Sequence, residues 1–249
     1  MFSGKPAEAG DFRYNHRRML RTRLYADPSG RFVHDIILES CRRFPQKTAI
    51  VDASCNRRLT YAEYGELVET LAHGLISAGL RSGETVAIFL ANSWEFCVAY
   101  HATTLVGAIP TLLNPTYRDR EVRYQLENSE AVFLITDAPF ITGIDLSRSP
   151  SLRRVYTIRT FHAGAEDFGN LLGGAPRTSL PVLASPQETL AALPYSSGTT
   201  GLPKGAMLSH YNLVSNIFQI IGPGAADIGH NDVLLCFLPS ITFTVSTSA

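Results

Sequence analysis

The chain has 249 residues, of which 45% are hydrophobic and 18% are charged, which is enough apolar material for one large domain or two small ones. Lysine plus arginine and aspartate plus glutamate number 22 each, so no net field attracts nucleic acid or an anionic membrane. An anionic ligand must therefore be bound by a local cluster of donors. Four scattered cysteines without C-x-x-C spacing argue against a zinc site or a disulfide framework, and favour a reducing compartment.

Residues 1–31 are predicted to form a basic N-terminal arm. Six of the first 25 residues are basic and only two are acidic. We expect a loosely packed arm on a cytoplasmic protein, although a mitochondrial presequence shares this bias and a peroxisomal C-terminal address is a further open alternative. No apolar run approaches the roughly 20 residues of a membrane-spanning helix.

Helical and extended patterns alternate along the first half of the chain. Thr60 and Glu63 form a capping box at the start of one helix, and the apolar run of 84–90 is typical of a strand that is buried on both faces. Predicted helices cover 32–44, 60–79, 94–106 and 119–129, and predicted strands cover 48–52, 58–61, 84–90, 109–113 and 131–136. This alternation predicts an α/β fold with a doubly wound, mostly parallel sheet.

The second half is less regular. Residues 137–190 are rich in proline and glycine around one strand at 154–158, and a helix predicted from Ser209 to Ile221 would turn Leu213, Ile217 and Ile220 inward. A last buried strand is predicted at 233–238, with Cys236 on it as a small buried hydrophobe.

Between two short apolar segments lies a stretch rich in glycine and hydroxyl side chains, Tyr-Ser-Ser-Gly-Thr-Thr-Gly-Leu-Pro-Lys-Gly at 195–205. Glycine permits close backbone approach, while hydroxyls, backbone N–H groups and a lysine donate to phosphate oxygens. Its spacing is not that of the Walker loop. The predicted phosphate-binding residues are Ser196, Ser197, Gly198, Thr199, Thr200, Gly201, Lys204 and Gly205.

This stretch, with the Ala-Met-Leu-Ser-His-Tyr-Asn-Leu that follows at 206–213, resembles the AMP-binding signature of the adenylate-forming superfamily. The likeness is greatest to 4-coumarate and fatty-acid CoA ligases. Weaker matching pieces precede it in family order, so that the resemblance runs from about residue 32 to 238. They are Leu-Thr-Tyr at 59–61, Gly-Glu-Thr-Val-Ala at 83–87, Gly-Ala-Ile at 107–109, Asn-Pro-Thr-Tyr at 114–117 and Leu-Ile-Thr-Asp at 134–137.

The resemblance implies an incomplete N-terminal domain of an enzyme that uses ATP, Mg²⁺ and coenzyme A. In that family a small-molecule carboxylic acid attacks the α-phosphate of ATP, and the thiol of coenzyme A then displaces AMP. By resemblance Lys204 contacts phosphate and is not the lysine of adenylation chemistry, which lies in a C-terminal domain. No catalytic residue or metal ligand is therefore assigned, and we expect this chain alone to be inactive.

Two alternatives stay open. One is a non-catalytic nucleotide-binding or interaction module, and the other is a different adenylating enzyme, such as a luciferase-like or peptide-synthetase domain. The sequence leaves the acid substrate and the oligomeric state undetermined.

Residues 240–249 depart from the family pattern, in which an aromatic segment such as Phe-Tyr-His-Ile-Tyr-Gly-Leu follows. Codons compatible with Ser240 to Thr247, shifted by one base, encode Phe-Tyr-His-Ile-Tyr-Gly-Leu-Asn. We therefore expect an AMP-binding domain at 32–239 and a frameshifted tail at 240–249. The alternative is a natural polar tail.

Single histidines and the one tryptophan are interpreted as structural. His210 at a helix start could cap that helix or reach a ligand, and we favour the structural role. His73 and His101 lie on apolar helices and are predicted to be core or rim residues, while Trp94 is predicted to pack in the core.

Overall fold

A computed structural model describes residues 27–196, 203–221 and 231–236. The predicted arm up to residue 26, the centre of the glycine-rich stretch at 197–202 and the predicted tail at 240–249 lie outside the described residues. In the described part, no helix combines the length and apolar character needed to cross a membrane.

The described part of the chain begins with two helices that flank a two-stranded antiparallel ribbon. Helix α1 (Val33–Arg43) is followed by β1 (Thr48–Asp52), β2 (Arg57–Thr60) and α2 (Tyr61–Ser77). The capping box that begins α2 forms as predicted, since the Glu63 N–H donates to Thr60 Oγ1 over 3.2 Å and Glu63 Oε2 accepts from the Thr60 N–H over 2.7 Å.

Five parallel strands form the main sheet, in the order β4-β3-β5-β6-β7. The chain leaves β3 to place β4 at one edge and then crosses back to place β5 on the other side of β3, which is a doubly wound topology. The predicted fold class is confirmed. The elements are β3 (Thr85–Phe89), α3 (Trp94–Leu105), β4 (Ile109–Leu112), α4 (Asp119–Asn128), β5 (Ala131–Asp137), α5 (Ala138–Ile141), β6 (Arg154–Ile158), β7 (Glu166–Asp167) and α6 (Gly169–Leu172).

Alternate residues of β3 face two separate cores. Val86 and Ile88 pack in the larger core, which contains side chains of α2 and α3, whereas Ala87 and Phe89 pack in a smaller core with α4. All five residues of β3 are buried, which explains why the strand is apolar after Thr85.

The last part of the chain forms two nested antiparallel pairs and a helix. Strand β8 (Leu190–Ala192) pairs with β11 (Leu208–Ser209), and β9 (Tyr195–Ser196) pairs with β10 (Lys204–Gly205) inside them. Helix α7 (His210–Ile220) follows directly, capped by Ser209.

Two expectations for this part are wrong. Of the strand predicted at 233–238, the described residues 233–236 form no strand and are exposed, including Val233 at 92% and Cys236, while 237 and 238 lie outside the described residues. An apolar run becomes a buried strand only where neighbouring strands pair with it. In α7, Ile220 is only half-buried. Val214 and Phe218 lie in the core with Leu213 and Ile217.

Candidate phosphate-binding site

The hairpin of β9 and β10 has two chemically different faces. Ser196 and Lys204 are directly opposite each other in the antiparallel pair, and both are exposed. Directly opposed residues of an antiparallel pair project their side chains to the same face. A hydroxyl and an ammonium therefore lie side by side on the face that is open to solvent.

The other face of the hairpin packs against α4. Tyr195 is opposite Gly205, and a Cβ atom at Gly205 would lie 3.0 Å from Cζ of the Tyr195 ring, so a larger residue there requires the ring to shift. The Tyr195 ring contacts Tyr124 edge-on, with 6.5 Å between centroids. Burial, followed by the neighbouring Tyr124, raises the pKa of Tyr195, so its hydroxyl remains a proton donor at neutral pH.

The chain just before the hairpin is hydrogen-bonded to β4, at the edge of the main sheet, and to α3. The Leu193 N–H donates to the Pro110 carbonyl over 2.9 Å, and the Tyr100 hydroxyl donates to the Ala191 carbonyl over 3.2 Å. The hairpin therefore projects from the β4 edge of the main sheet, to which its base is hydrogen-bonded.

Three polar residues below the hairpin are absent from the sequence prediction. They are Thr111 on β4 and Gln125 and Asn128 on α4. The sequence held a signal for Gln125, because it lies three residues after Val122 and next to Leu126, which are predicted to face inward. The structure buries all three residues. A polar side chain on the buried face of a helix usually forms a hydrogen bond with a neighbouring group.

Doubly wound sheets commonly bind ligands where the strand order reverses, here between the carboxyl ends of β3 and β5. In this chain protein groups fill that position. The Thr136 hydroxyl donates to the Phe89 carbonyl over 3.0 Å, and the ring of Phe140 packs on the ring of Phe89 at a centroid distance of 5.1 Å. The exposed polar face of the hairpin is thus the better candidate for an anion.

His210 lies inside the protein, away from solvent. It is fully buried, and its Nδ1 accepts a hydrogen bond of 3.1 Å from the Val33 N–H. His101 contacts the Tyr64 hydroxyl over 2.6 Å, and Trp94 is in the core. These contacts support the structural interpretation of all three residues.

The structure thus brings together Ser196, Lys204 and Gly205 of the predicted phosphate-binding set. The remaining five, at 197–201, lie outside the described residues. Within the described ranges no group of three histidine, cysteine, aspartate or glutamate side chains could hold a metal ion.

Comparison with known proteins gives a consistent result. Residues 37–246 match the family model of the AMP-binding enzyme. The chain is 33% identical over 228 residues to 4-coumarate–CoA ligase 5 of Oryza sativa subsp. japonica, covering 89% of this chain and 41% of the relative.

Solved structures agree on the fold. A long-chain-fatty-acid-CoA ligase from Archaeoglobus fulgidus superimposes with a TM-score of 0.76 at 27% identity, over 88% of this chain and 44% of that one. The anthranilate CoA ligase AuaEII, in complex with anthranoyl-AMP, gives a TM-score of 0.66 at 25% identity, over 76% and 36%. The chain therefore spans less than half the length of these relatives. It belongs to the AMP-binding enzyme family and corresponds to an incomplete N-terminal domain of such an enzyme.

Proposed function

We propose that this chain is the N-terminal part of an ATP-dependent carboxylic acid–CoA ligase, and that the β9–β10 hairpin binds the phosphates of ATP. The observation that carries the proposal is the pairing of Ser196 with Lys204 on the exposed face. The family implies ATP, Mg²⁺ and coenzyme A, with a small carboxylic acid as the other substrate.

The hairpin suits the part of the reaction in which charge builds up on phosphate oxygens. Lys204 supplies a compact cation, and none of the carboxylates in the described ranges forms an ion pair with it. The Ser196 hydroxyl can donate to an adjacent oxygen. Donors that are already in position stabilise developing charge without having to reorganise.

These residues orient phosphate but transfer no group. Orienting a substrate is distinct from acting as base or nucleophile, and we therefore assign no catalytic residue. Bound Mg²⁺ would neutralise phosphate charge, and coenzyme A would supply the acyl-accepting thiol. We expect the chain alone to bind ATP without releasing pyrophosphate, because a phosphate-binding hairpin positions only part of one substrate.

Equilibrium dialysis with ATP tests the proposal. Lys204→Ala should weaken ATP binding about ten-fold, the loss expected for one charge-assisted hydrogen bond. Arg58→Ala removes an exposed cation on β2 and serves as the matched control, with unchanged affinity expected. Equal ATP affinity in wild type and Lys204→Ala would refute the proposal that the hairpin binds the phosphates of ATP. Sustained pyrophosphate release from a carboxylic acid would refute the predicted inactivity.

A further inference from the structure

A relay of two hydrogen bonds links α4 to the chain just before the hairpin. Gln125 Nε2 donates to Thr111 Oγ1 over 2.8 Å, and the Thr111 hydroxyl donates to the Leu193 carbonyl over 2.8 Å. Gln125 Nε2 also donates to the Leu112 carbonyl over 3.1 Å. The relay therefore fixes both the side chain of Thr111 and the peptide that begins the turn into the hairpin.

The relay is buried almost completely. Thr111 is 0% exposed and Gln125 is 1% exposed. A hydroxyl that accepts one hydrogen bond is polarised and donates more strongly, and the effect is larger where water is excluded. Apolar residues of similar shape could fill these positions at little cost in stability. What an apolar pair could not do is hold the Leu193 carbonyl in one orientation.

A second contact from the same helix reaches the hairpin itself. Asn128 lies three residues after Gln125, and residues at that spacing share a helix face. Its Oδ1 accepts a hydrogen bond of 2.7 Å from the Tyr195 hydroxyl. Tyr195 is adjacent to Ser196 and opposite Gly205, so this contact fixes the side of the hairpin away from the exposed Ser196 and Lys204.

We propose that Thr111, Gln125 and Asn128 are positioning residues, which set the orientation of Ser196 and Lys204 toward the phosphates through Leu193 and Tyr195. The inference rests on the proposed phosphate-binding function and deepens it. The side chain of Asn128 is exposed, and it touches the far side of the hairpin, so it acts on the ligand only through Tyr195.

The test measures binding of inorganic tripolyphosphate and of ATP to the full chain. Thr111→Val keeps the shape but removes the relay, and should weaken both ligands about five-fold, as expected for one buried hydrogen bond. Thr111→Ser keeps the hydroxyl and should restore affinity to within about two-fold of wild type.

Asn128→Ala and Tyr195→Phe remove opposite ends of one hydrogen bond and should weaken binding equally. Both sites are partly or fully exposed, so these variants remain informative if Thr111→Val does not fold.

A double-mutant cycle separates positioning from general stability. Because Thr111 is proposed to act through Lys204 as well as Ser196, the double variant Thr111→Val with Lys204→Ala should lose less affinity than the sum of the two single losses. Additive losses would overturn the inference. Wild-type affinity in both Thr111→Val and Asn128→Ala would also overturn it. The proposal that the hairpin binds phosphate would still hold in that case if Lys204→Ala weakens binding. Tripolyphosphate and ATP affinities that are indifferent to Lys204 would instead refute the proposed function.

Discussion

His210 Nδ1 accepts a hydrogen bond of 3.1 Å from the backbone N–H of Val33, so the helix after the hairpin satisfies a donor at the start of the first helix. The contact joins positions that are 177 residues apart in sequence. Around it the rings of Phe32, His34 and His210 pack together, with 5.3 Å between the centroids of the two histidines. His34 Nδ1 and His210 Nε2 are buried without a hydrogen-bond partner among the described residues.

This cluster predicts that acid destabilises the fold. Burial lowers the pKa of His34 from 6.5 to about 4, and burial followed by the nearby His34 lowers the pKa of His210 to about 3. Because both folded-state values lie below the unfolded value, the unfolded chain binds more protons below pH 6.5. The stabilisation is complete above pH 6.5 and is lost as the pH falls toward 4, at roughly 1–2 kcal/mol per histidine near pH 5.

Urea unfolding at pH 7 and pH 5 measures this loss. His34→Phe keeps a ring in the cluster but cannot be protonated, and should reduce the loss between the two pH values. His162→Gln alters a partly exposed histidine elsewhere and should leave the loss unchanged. An identical pH dependence in wild type and His34→Phe would contradict the assignment.

A second prediction concerns two glycines inside α2. A Cβ atom at Gly74 would lie 2.0 Å from the Leu171 carbonyl oxygen, which is backbone and cannot easily move. At Gly65 the nearest atom would be Cys41 Cβ at 3.1 Å. Alanine gains about 1 kcal/mol of helix propensity at either site. Gly74→Ala should still lose about 1–3 kcal/mol through overpacking, whereas Gly65→Ala should remain within about 1 kcal/mol of wild type.

Chemical denaturation of the two variants checks the comparison. Since both substitutions are the same and lie on one helix, differences in intrinsic propensity cancel. Equal stabilities would mean that α6, which carries Leu171, moves away from α2 at little cost.

Local signals explain what the sequence could predict. The Thr60–Glu63 capping box and the continuous apolar run of β3 act over a few residues, so their outcome depends little on distant parts of the chain. Ser196 and Lys204, which the structure places opposite each other, both belong to the glycine-rich stretch that the sequence singles out. These features gave the fold class and part of the candidate site.

Features that depend on distant partners were not predictable. The Gln125–Thr111 contact depends on how α4 lies across β4, and Tyr195 meets Asn128 across 67 residues of sequence. The exposed run at 233–235 has the composition of a buried strand, but burial is decided by whether a neighbour covers it. Sequence periodicity contains no information about that neighbour.

A third prediction concerns the reading frame after Pro239, which we propose is shifted by one base. The family match extends to residue 246, so the proposed tail partly overlaps it. Nucleotide sequencing across codons 239–249 decides the matter. The other frame should encode an aromatic segment and continue into sequence similar to the CoA ligases, and a stop codon or unrelated sequence there would rule the shift out.

The last prediction concerns Arg159, which neutralises two buried carboxylates near the start of α3. Its Nε and Nη2 donate to the two carboxylate oxygens of Glu95 at 3.0 and 2.9 Å, and Nη2 also contacts Asp52 Oδ2 at 3.2 Å. The side chains of Asp52 and Glu95 are only 3% and 5% exposed. Burial opposes ionisation of Asp52, but hydrogen bonds from Ser54 and the Trp94 N–H, together with Arg159, lower its pKa overall.

Arg159→Met should therefore destabilise the fold by about 2–4 kcal/mol at neutral pH, because it leaves two buried charges without their cation. Arg154→Met breaks the exposed pair with Glu166, in which both side chains are more than 40% accessible, and should cost less than about 1 kcal/mol. Urea unfolding of both variants gives the comparison. Because the pKa of Asp52 is lowered from its usual 3.8 in the folded protein, the deficit of Arg159→Met should persist at pH 5 and shrink as the pH falls below 3.8 and Asp52 takes up a proton. A deficit that is the same at pH 7 and pH 3 would show that lost packing, rather than charge, is responsible.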